Sequence, residues 1–390
     1  MRSAPACEDI PHLLDSYCRF LRAQGVGVRR CNLKTDTIHP QMWAMRYVWF
    51  SERADPGPIN PAVVVRRRQY EIDDAFIDEV FFHASGHTSP QYLASPFYKI
   101  EQDGEMHAAI APAGEAQPYP VFGDLAALGC TEYFGTMLYG FGAAHKLISV
   151  AVDNEGGLSA EALGDIRMSA QVLALPLNTL LQHEIKNTIA RTYIGRDPGA
   201  RVCNGMIELG HVAEVEGAIW FSDIRGFTRL SETLAPAELV ARLNAYYGDV
   251  VGAIYTHDGE VLKFIGDAVL AIFPAHACGG PRGACGAAMA AAKQARKRRH
   301  ASTHALDDGV ALHYGVAEYG NIGAPDRLDF TLIGREVNLA ARAKELMVQT
   351  GEPIVCTRAF QETADEPMQP IGAFKGKGLS GPVELFAPPG

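Results

Sequence analysis

The chain has 390 residues, enough for two or three domains with separate hydrophobic cores. Hydrophobic residues make up 47% and charged residues 21%, which excludes a disordered or fibrous chain. The 45 acidic and 35 basic residues give a formal net charge of −10. A chain this acidic is a poor candidate for nucleic-acid binding or for a polybasic membrane anchor.

The distribution of cysteines and apolar residues indicates the cellular compartment in which the chain is expected to work. The chain has eight dispersed cysteines with no C-x-x-C pair, and no run of about 18 apolar residues that could cross a membrane. Acidic residues occupy the start of the chain, where a signal peptide would have its apolar segment. We therefore expect a reduced, cytoplasmic protein that does not enter a membrane.

Residues 1–157 combine short helical and strand patterns. Apolar residues recur at helical spacing between Pro11 and Gln24, and Asp153–Gly157 predicts a turn that closes the region. The predicted strands are Met45–Phe50, Ala62–Val65, His107–Ala111 and Leu147–Val152. This mixture predicts a compact α+β sensor-type domain.

Residues 158–210 are predicted to be a helical linker. Ser159 is a suitable N-cap, and Pro176 should kink or interrupt the helix. An apolar stripe at three- and four-residue spacing comprises Leu173, Leu177, Leu180, Leu181, Ile185 and Ile189. Two copies of such a stripe could form a short parallel coiled coil in a dimer.

Residues 211–390 alternate strands and helices. The predicted strands are Gly217–Phe221, two strands within Glu260–Phe273 around a Gly266-Asp267 turn, and Val310–Val316. The predicted helices are Pro236–Tyr255, Gly283–Arg299 and Glu336–Leu346. This order suits an α/β sandwich with one mainly antiparallel sheet, so the fold class of the whole chain is α+β.

Two aspartates follow hydrophobic strands of this region. Asp223 comes directly after Ile219-Trp220-Phe221 and Ser222, and Asp267 stands at the predicted hairpin turn. A lone charge is costly in such a place, whereas a metal ligand is stabilised there, and Mg²⁺ takes one or two carboxylates plus phosphate oxygens. Each aspartate could equally well cap a turn or a helix.

Two further segments carry polar groups suited to a nucleotide. Gly226-Phe227-Thr228 leads from Asp223 toward a helix, and its backbone N–H groups could cradle phosphate. Asn338 and Arg342 are four residues apart on a predicted helix, hence on one face. An amide beside a guanidinium suits orienting a ribose and stabilising phosphoryl charge.

Four ordered motifs then give a resemblance. FSDIRGFTRLSE, GEVLKFIGDAVLAIFP, YGNIGAPDRLDFTLIGREVNLAAR and KGLSGPVELF occur in this order between about Glu216 and Phe386. This region resembles the catalytic domain of class III nucleotidyl cyclases, of the bacterial adenylate cyclase type. Residues 1–157 resemble, more loosely, the GAF-type regulatory domains that precede such cyclases, but no diagnostic motif identifies the signal that they sense.

The resemblance implies roles for particular residues. Asp223, Asp267 and the carbonyl of Ile224 match the ligands of two Mg²⁺ or Mn²⁺ ions per active site. Lys263 and Thr331 match the two positions that contact adenine. Asn338 and Arg342 match the pair that orients the ribose and stabilises the transition state. Lys377 matches a triphosphate-binding lysine, with Lys375 as the alternative.

The resemblance also implies an activity and an assembly. The expected reaction converts ATP to 3′,5′-cyclic AMP and pyrophosphate, and Lys263, which can only donate, suits adenine N1. In this family the metal aspartates of one chain face the base and ribose residues of its partner, so a chain holding both sets implies a homodimer. Two alternatives stay open at this point: a nucleotide-binding pseudo-cyclase that only signals, and a guanylyl cyclase.

Overall fold

The computed structural model describes residues 9–37, 39, 42–53, 64–83, 88–140, 145–300, 306–376 and 381–389. The chain divides into two units, Met1–Ile189 and Ala190–Gly390. Each unit is built around one largely antiparallel sheet with helices packed against it, so the prediction of a mixed α+β fold is confirmed.

The first unit contains seven strands and five helices among its described residues. The helices are α1 (Ile10–Ala23), α2 (Pro90–Leu93), α3 (Pro96–Asp103), α4 (Pro120–Ala127) and α5 (Ala160–Ile194), which ends in the second unit. The strands are β1 (Val28–Asp36), β2 (Met42–Phe50), β3 (Val64–Ile72), β4 (Ala75–His83), β5 (Glu105–Ala109), β6 (Glu132–Met137) and β7 (Lys146–Val152). They form an antiparallel sheet in the order β3-β4-β2-β1-β7-β6-β5.

The two faces of this sheet have separate cores. Alternate residues of a strand point to opposite faces, so Leu33 and Trp49 join Leu14 of α1 in one buried cluster. The opposite face is covered by α3 and α4, whose Ile100 and Phe122 pack in a second cluster that includes strand residues. The sheet is therefore buried on both sides at its centre.

Helix α5 differs in part from its prediction. The Ser159 hydroxyl accepts a hydrogen bond from the Ala162 N–H at 3.1 Å, as expected of an N-cap. The helix is not interrupted at Pro176, which lies inside Ala160–Ile194. Leu173 and Leu177 of the predicted stripe are buried in the core that contains α1. That part of the stripe is therefore occupied within its own chain rather than available for a coiled coil.

The second unit contains eight strands and six further helices among its described residues. Its strands are β8 (Val212–Ile224), β9 (Glu260–Ile265), β10 (Ala268–Pro274), β11 (Asp308–Ala324), β12 (Arg327–Ile333), β13 (Ile354–Thr357), β14 (Gln369–Lys375) and β15 (Pro382–Ala387). Its helices are α6 (Arg196–Cys203), α7 (Phe227–Thr233), α8 (Pro236–Thr256), α9 (Pro281–His300), α10 (Arg335–Thr350) and α11 (Arg358–Thr363). Each strand and helix predicted from the sequence in this region lies within one of these elements.

The sheet of the second unit has the order β14-β15-β13-β11-β8-β10-β9, with β12 paired to β11. β8 alternates its side chains between the two faces: Trp220 packs with Ile254 of α8 and Met289 of α9, and Phe221 packs with Val337 of α10. Since β8 is buried on both sides, its carboxyl end is held in a fixed position. None of the described helices is long and apolar enough to cross a membrane.

Candidate active site

The end of β8 brings Asp223 and Asp267 together. β10 pairs antiparallel with β8 from Val269–Ser222 onward, so the turn before β10 stands beside the last residues of β8. The Ile224 N–H donates a hydrogen bond to Asp267 Oδ2 at 3.1 Å. The carboxyl of Asp223 is close enough to that of Asp267 to raise its pKa. The two aspartates that were predicted to share a site are therefore neighbours.

The charge of this pair is only partly compensated. Burial, the hydrogen bond with Asp223 and repulsion by its charge raise the pKa of Asp267 to about 6. On the other side, Lys344 Nζ lies 2.7 Å from Asp223 Oδ2. Two adjacent carboxylates whose charges repel are a donor set that suits a divalent cation such as Mg²⁺ or Mn²⁺.

Lys344 is a residue that the sequence reasoning missed. It lies on α10, two residues after Arg342 and therefore about 200° around the helix from it. It therefore does not share the helix face of Asn338 and Arg342, from which the candidate residues of α10 were chosen. The spacing of the buried residues along α10 could have identified it. Lys344 lies on the same side of the helix as the buried residues Val337, Ala340 and Ala343, which face the sheet.

A second group of polar residues lies on β9 and β12. Lys263 forms an ion pair with Asp329. Thr331 lies two residues after Asp329, hence on the same face of β12, and is only 7% exposed. Asp329 thus lies with Lys263 and Thr331, the two positions expected to contact adenine, and places an acceptor beside the lysine donors.

Asn338 and Arg342 project from α10 apart from the aspartates. Asn338 is exposed, and Arg342 Nη1 donates to both carboxylate oxygens of Glu345, at 2.7 and 2.6 Å. Among the described residues, no hydrogen bond or ion pair joins either side chain to Asp223 or Asp267. One chain therefore presents the aspartates and the Asn338–Arg342 pair as two separate groups.

The remaining predicted residues have mixed outcomes. Gly226 adopts a left-handed conformation (φ +67°) between β8 and α7, which favours glycine there. Phe227 packs against the core beneath α8, whereas Thr228 is exposed. Lys377 lies outside the described residues. Its alternative, Lys375, is the exposed last residue of β14.

A comparison with known protein families identifies a match that contains these residues. Residues 212–357, from β8 to the end of β13, match the family described as the adenylate and guanylate cyclase catalytic domain. In this region the second unit is similar to the catalytic domain of class III adenylate and guanylate cyclases. The match covers both aspartates, Lys344, the Lys263–Asp329 pair, Thr331, Asn338 and Arg342.

Individual relatives resemble less than half of the chain at modest identity. Adenylate cyclase 1 of Rhizobium meliloti (strain 1021) is 28% identical over 198 residues, which is 46% of this chain and 29% of that protein. An adenylate cyclase of Anabaena cylindrica is 32% identical over 158 residues, which is 39% of this chain and 32% of that protein. The chain thus spans about a third of the length of these curated relatives.

Among solved structures, the adenylyl cyclase CyaB from P. aeruginosa is 29% identical, with a TM-score of 0.40. The similarity covers 46% of this chain and 96% of that one.

Proposed function

We propose that the chain is an adenylate cyclase that converts ATP to 3′,5′-cyclic AMP and pyrophosphate under the control of its N-terminal unit. The observation that carries the proposal is the pair formed by Asp223 and Asp267 at the end of β8, with the pKa of Asp267 raised to about 6. Such a pair suits binding of a divalent cation and a triphosphate more than it suits a structural cap.

Each group of residues has a role in the proposed reaction. Asp223, Asp267 and the Ile224 carbonyl would hold two Mg²⁺ or Mn²⁺ ions, which would make the ribose 3′-hydroxyl a better nucleophile and offset phosphate charge. Asn338 orients the ribose, and Arg342 stabilises the charge that develops on the phosphoryl group. Because the attack is intramolecular, correct orientation of the ribose supplies much of the rate. Gly226-Phe227-Thr228 and Lys377 or Lys375 are assigned to the triphosphate.

The choice of base rests on Lys263, Asp329 and Thr331. Adenine presents an acceptor at N1 and a donor at N6, which match a lysine donor beside a carboxylate or hydroxyl acceptor. The same carboxylate could accept from guanine N1–H while Lys263 donates to O6, so Asp329 also keeps GTP as the second candidate substrate. The ion pair between Lys263 and Asp329 must open to admit either base.

The two groups of residues are proposed to meet across a homodimer. In one chain Arg342 is paired with Glu345 and has no described contact with the aspartates. A head-to-tail pair of chains would build two equivalent sites, each from the aspartates of one chain and the base and ribose residues of its partner. The GAF-like character of residues 1–157 and the linker role of residues 158–210 stay predictions.

The activity is tested by incubating purified protein with ATP or GTP and Mn²⁺ or Mg²⁺, and quantifying cyclic nucleotide and pyrophosphate. We expect cyclic AMP with a kcat/KM for ATP at least about tenfold above that for GTP, which is a difference of about 1.4 kcal/mol in transition-state binding. Cyclic GMP as the main product would favour the guanylyl alternative. Nucleotide binding without either product would identify a pseudo-cyclase.

The shared site is tested by subunit mixing. The variants Asp223→Ala and Arg342→Ala should each be inactive alone, and mixing them should restore activity because one site of each heterodimer is intact. At complete subunit exchange we expect about a quarter of the wild-type rate, since half the dimers are mixed and each has one working site. Mixtures that exchange subunits and remain inactive would show that the groups act within one chain.

A further inference from the structure

A cavity of about 280 Å³ lies within the first unit, to which all of its lining residues belong. It is bounded by the sheet face opposite α1 and by α2, α3 and α4. The helices contribute apolar groups to its wall, among them Phe97, Val121 and Leu125. A cavity of this size holds a molecule smaller than a typical drug, whose pockets begin near 300 Å³.

The sheet contributes two arginines to the cavity. Arg30 and Asn32 of β1 point to the same face because they are two residues apart. Arg46 stands on the neighbouring strand β2, where it pairs with Lys34 in the register of the two strands. An ordinary sheet face under helices carries apolar residues at these central positions, so three polar side chains here need a reason other than packing.

Each of these side chains has one buried polar atom without a hydrogen-bond partner in the described part of the protein. Arg30 Nε, Arg46 Nε and Asn32 Oδ1 are buried and have no hydrogen-bond partner among the described residues. An aromatic ring lies near each guanidinium, Phe50 at 5.6 Å from Arg30 and Phe82 at 5.2 Å from Arg46, and the charge of Asp78 acts on both without a direct ion pair. Burial lowers the pKa of Arg46 to about 10, so the group is still charged at neutral pH.

Lys34, on the same strand as Arg30, differs from the two arginines because carboxylates of the protein pair with it. Lys34, two residues after Asn32, is 3% exposed and pairs with Asp36 at 2.9 Å and Glu101 at 2.8 Å. No described carboxylate pairs with Arg30 or Arg46 in this way. The nearby Asp78 accepts from Arg67 at 2.5 Å, and Asp124, at the rim of the cavity, is exposed. Both arginines are half-buried and have a buried Nε without a partner, so an anion in the cavity would gain charge-assisted hydrogen bonds from them.

We infer that this cavity is a binding site for a small organic anion, whose carboxylate or phosphate group is held by Arg30 and Arg46. Guanidinium groups bind both kinds of anion with paired, charge-assisted hydrogen bonds. Asn32 supplies a further polar contact beside the arginines, and so does Ser149, its register partner on the neighbouring strand β7. The apolar body of the ligand packs against Phe97, Val121 and Leu125. This inference is independent of the nucleotide chemistry proposed for the second unit.

Thermal unfolding of the full-length protein tests the inference with four probes at 10 mM. The probes are inorganic phosphate, glycerol 3-phosphate, benzoate and, as the uncharged analogue, benzyl alcohol. A ligand that binds only the folded state raises Tm. We expect at least one anion to raise Tm by about 3 °C or more, and benzyl alcohol to raise it by much less. A larger Tm shift with phosphate or glycerol 3-phosphate would indicate that the site recognises a phosphate group. A larger shift with benzoate would indicate that it recognises a carboxylate.

Variants locate the binding. Arg46→Met should abolish the shift caused by the anion, yet raise the Tm of the ligand-free protein, because it removes a half-buried charge that has no ion-pair partner. Arg53→Gln, which removes a charge from an 84% exposed side chain next to β2, should leave both values unchanged. Arg46→Lys, which keeps the charge without the planar fork, should bind at least about tenfold more weakly by calorimetry.

Three outcomes would overturn the inference. The first is that no anion stabilises the wild type beyond benzyl alcohol, which would leave a cavity filled only by water. The second is an equal shift in wild type and Arg46→Met, which would place the anion elsewhere, the triphosphate site included. The third is a lower ligand-free Tm of Arg46→Met with the anion shift retained, which would make Arg46 structural. If Arg46→Met does not fold, Arg30→Met and the calorimetry on Arg46→Lys decide the question.

Discussion

At the scale of single residues, the active site depends on how the charges of Asp223 and Asp267 are offset. Lys344 lies 2.7 Å from Asp223 and is only 22% exposed, so its ammonium group holds a position beside the pair. A divalent cation bound by the same carboxylates must compete with that ammonium group. We therefore predict that Lys344 tunes metal affinity through its charge, although it belongs to neither group of residues assigned from the motifs.

Replacement of Lys344 tests this role. Lys344→Met should lower the Mn²⁺ concentration for half-maximal activity about three- to tenfold, because the competing charge is removed. The same variant should have a lower Tm in EDTA, where nothing offsets the aspartates. Lys344→Arg keeps the charge and should resemble the wild type in both measurements. Loss of activity at every metal concentration in Lys344→Met would instead show that the lysine contacts the substrate.

The aspartates themselves give a second prediction. Asp223→Ala and Asp267→Ala should each reduce kcat by at least about 100-fold, since loss of a metal ligand removes several kcal/mol of charge stabilisation. Their circular dichroism spectra should match the wild type because neither side chain packs in the core. Asp326→Ala, in the exposed turn between β11 and β12, is the matched control and should keep full activity. Metal-dependent turnover retained in either site variant would contradict the two-metal assignment.

At the scale of elements, one buried histidine ties α10 to the sheet. His313 of β11 is fully buried, with Nε2 2.8 Å from Glu336 Oε2 in the first turn of α10 and Nδ1 2.7 Å from Thr357 Oγ1. These contacts fit a neutral ring that donates from Nε2 to Glu336 and accepts from Thr357. Because α10 carries Asn338, Arg342 and Lys344, the bond to Glu336 holds the helix on which both groups depend.

The protonation of His313 should make stability depend on pH. Burial lowers the pKa of His313 below its ordinary value of 6.5, although Glu336 opposes the shift. The unfolded chain takes up a proton near pH 6.5, whereas the folded chain does so only at lower pH, so stability falls as pH decreases through 6.5. His313→Gln keeps a donor but does not titrate. At pH 8 we expect it to be about 1 kcal/mol less stable than the wild type by urea unfolding.

Between pH 8 and pH 5.5 this deficit should shrink, because only the wild type loses the contribution of the histidine. A deficit that stays constant or grows toward pH 5.5 would show that His313 is not neutral in the folded protein. A loss of kcat in the variant at pH 8, with KM unchanged, would further indicate that the bond positions α10.

At the scale of the whole molecule, α5 offers an exposed apolar stripe on the side away from its own core. Met168, Val172 and Leu175 are 70%, 64% and 70% exposed and follow the four–three spacing of a coiled-coil seam. This stripe, rather than the Leu173–Leu177 stripe buried in the first unit, is the one that two chains could share. We expect the proposed homodimer to use it.

Charge in this stripe should weaken the dimer. The double variant Val172→Lys/Leu175→Lys should raise the dimer dissociation constant at least about tenfold, since it places two charges in an apolar seam. Analytical ultracentrifugation measures this constant, and specific activity at low protein concentration should fall with it. Glu184→Lys lies about 180° around the helix from Leu175 and should leave dimerisation intact. Equal dissociation constants for the double variant and the wild type would remove α5 from the interface.

Local sequence patterns were enough to predict the chemistry-bearing segments and most elements of the second unit. Asp223 after an apolar strand and Asp267 at a hairpin turn could be placed because strand periodicity and turn residues are local signals. The local spacing of Asn338 and Arg342 likewise put them on one helix face. The α5 boundary at Ser159 followed from its N-capping side chain, which needs only neighbouring residues.

The tertiary structure alone decided which groups lie side by side over long separations in the chain. The contact of Lys344 with Asp223, that of Asp329 with Lys263, and the presence of Arg30 and Arg46 in one cavity depend on how strands pair and which side of a helix meets the sheet. It also decided which of the two apolar stripes of α5 is buried, since both have helical spacing and only packing distinguishes them. The periodicity of apolar residues predicts which face of a helix or strand is buried. Which element packs against that face depends on contacts between segments distant in the sequence.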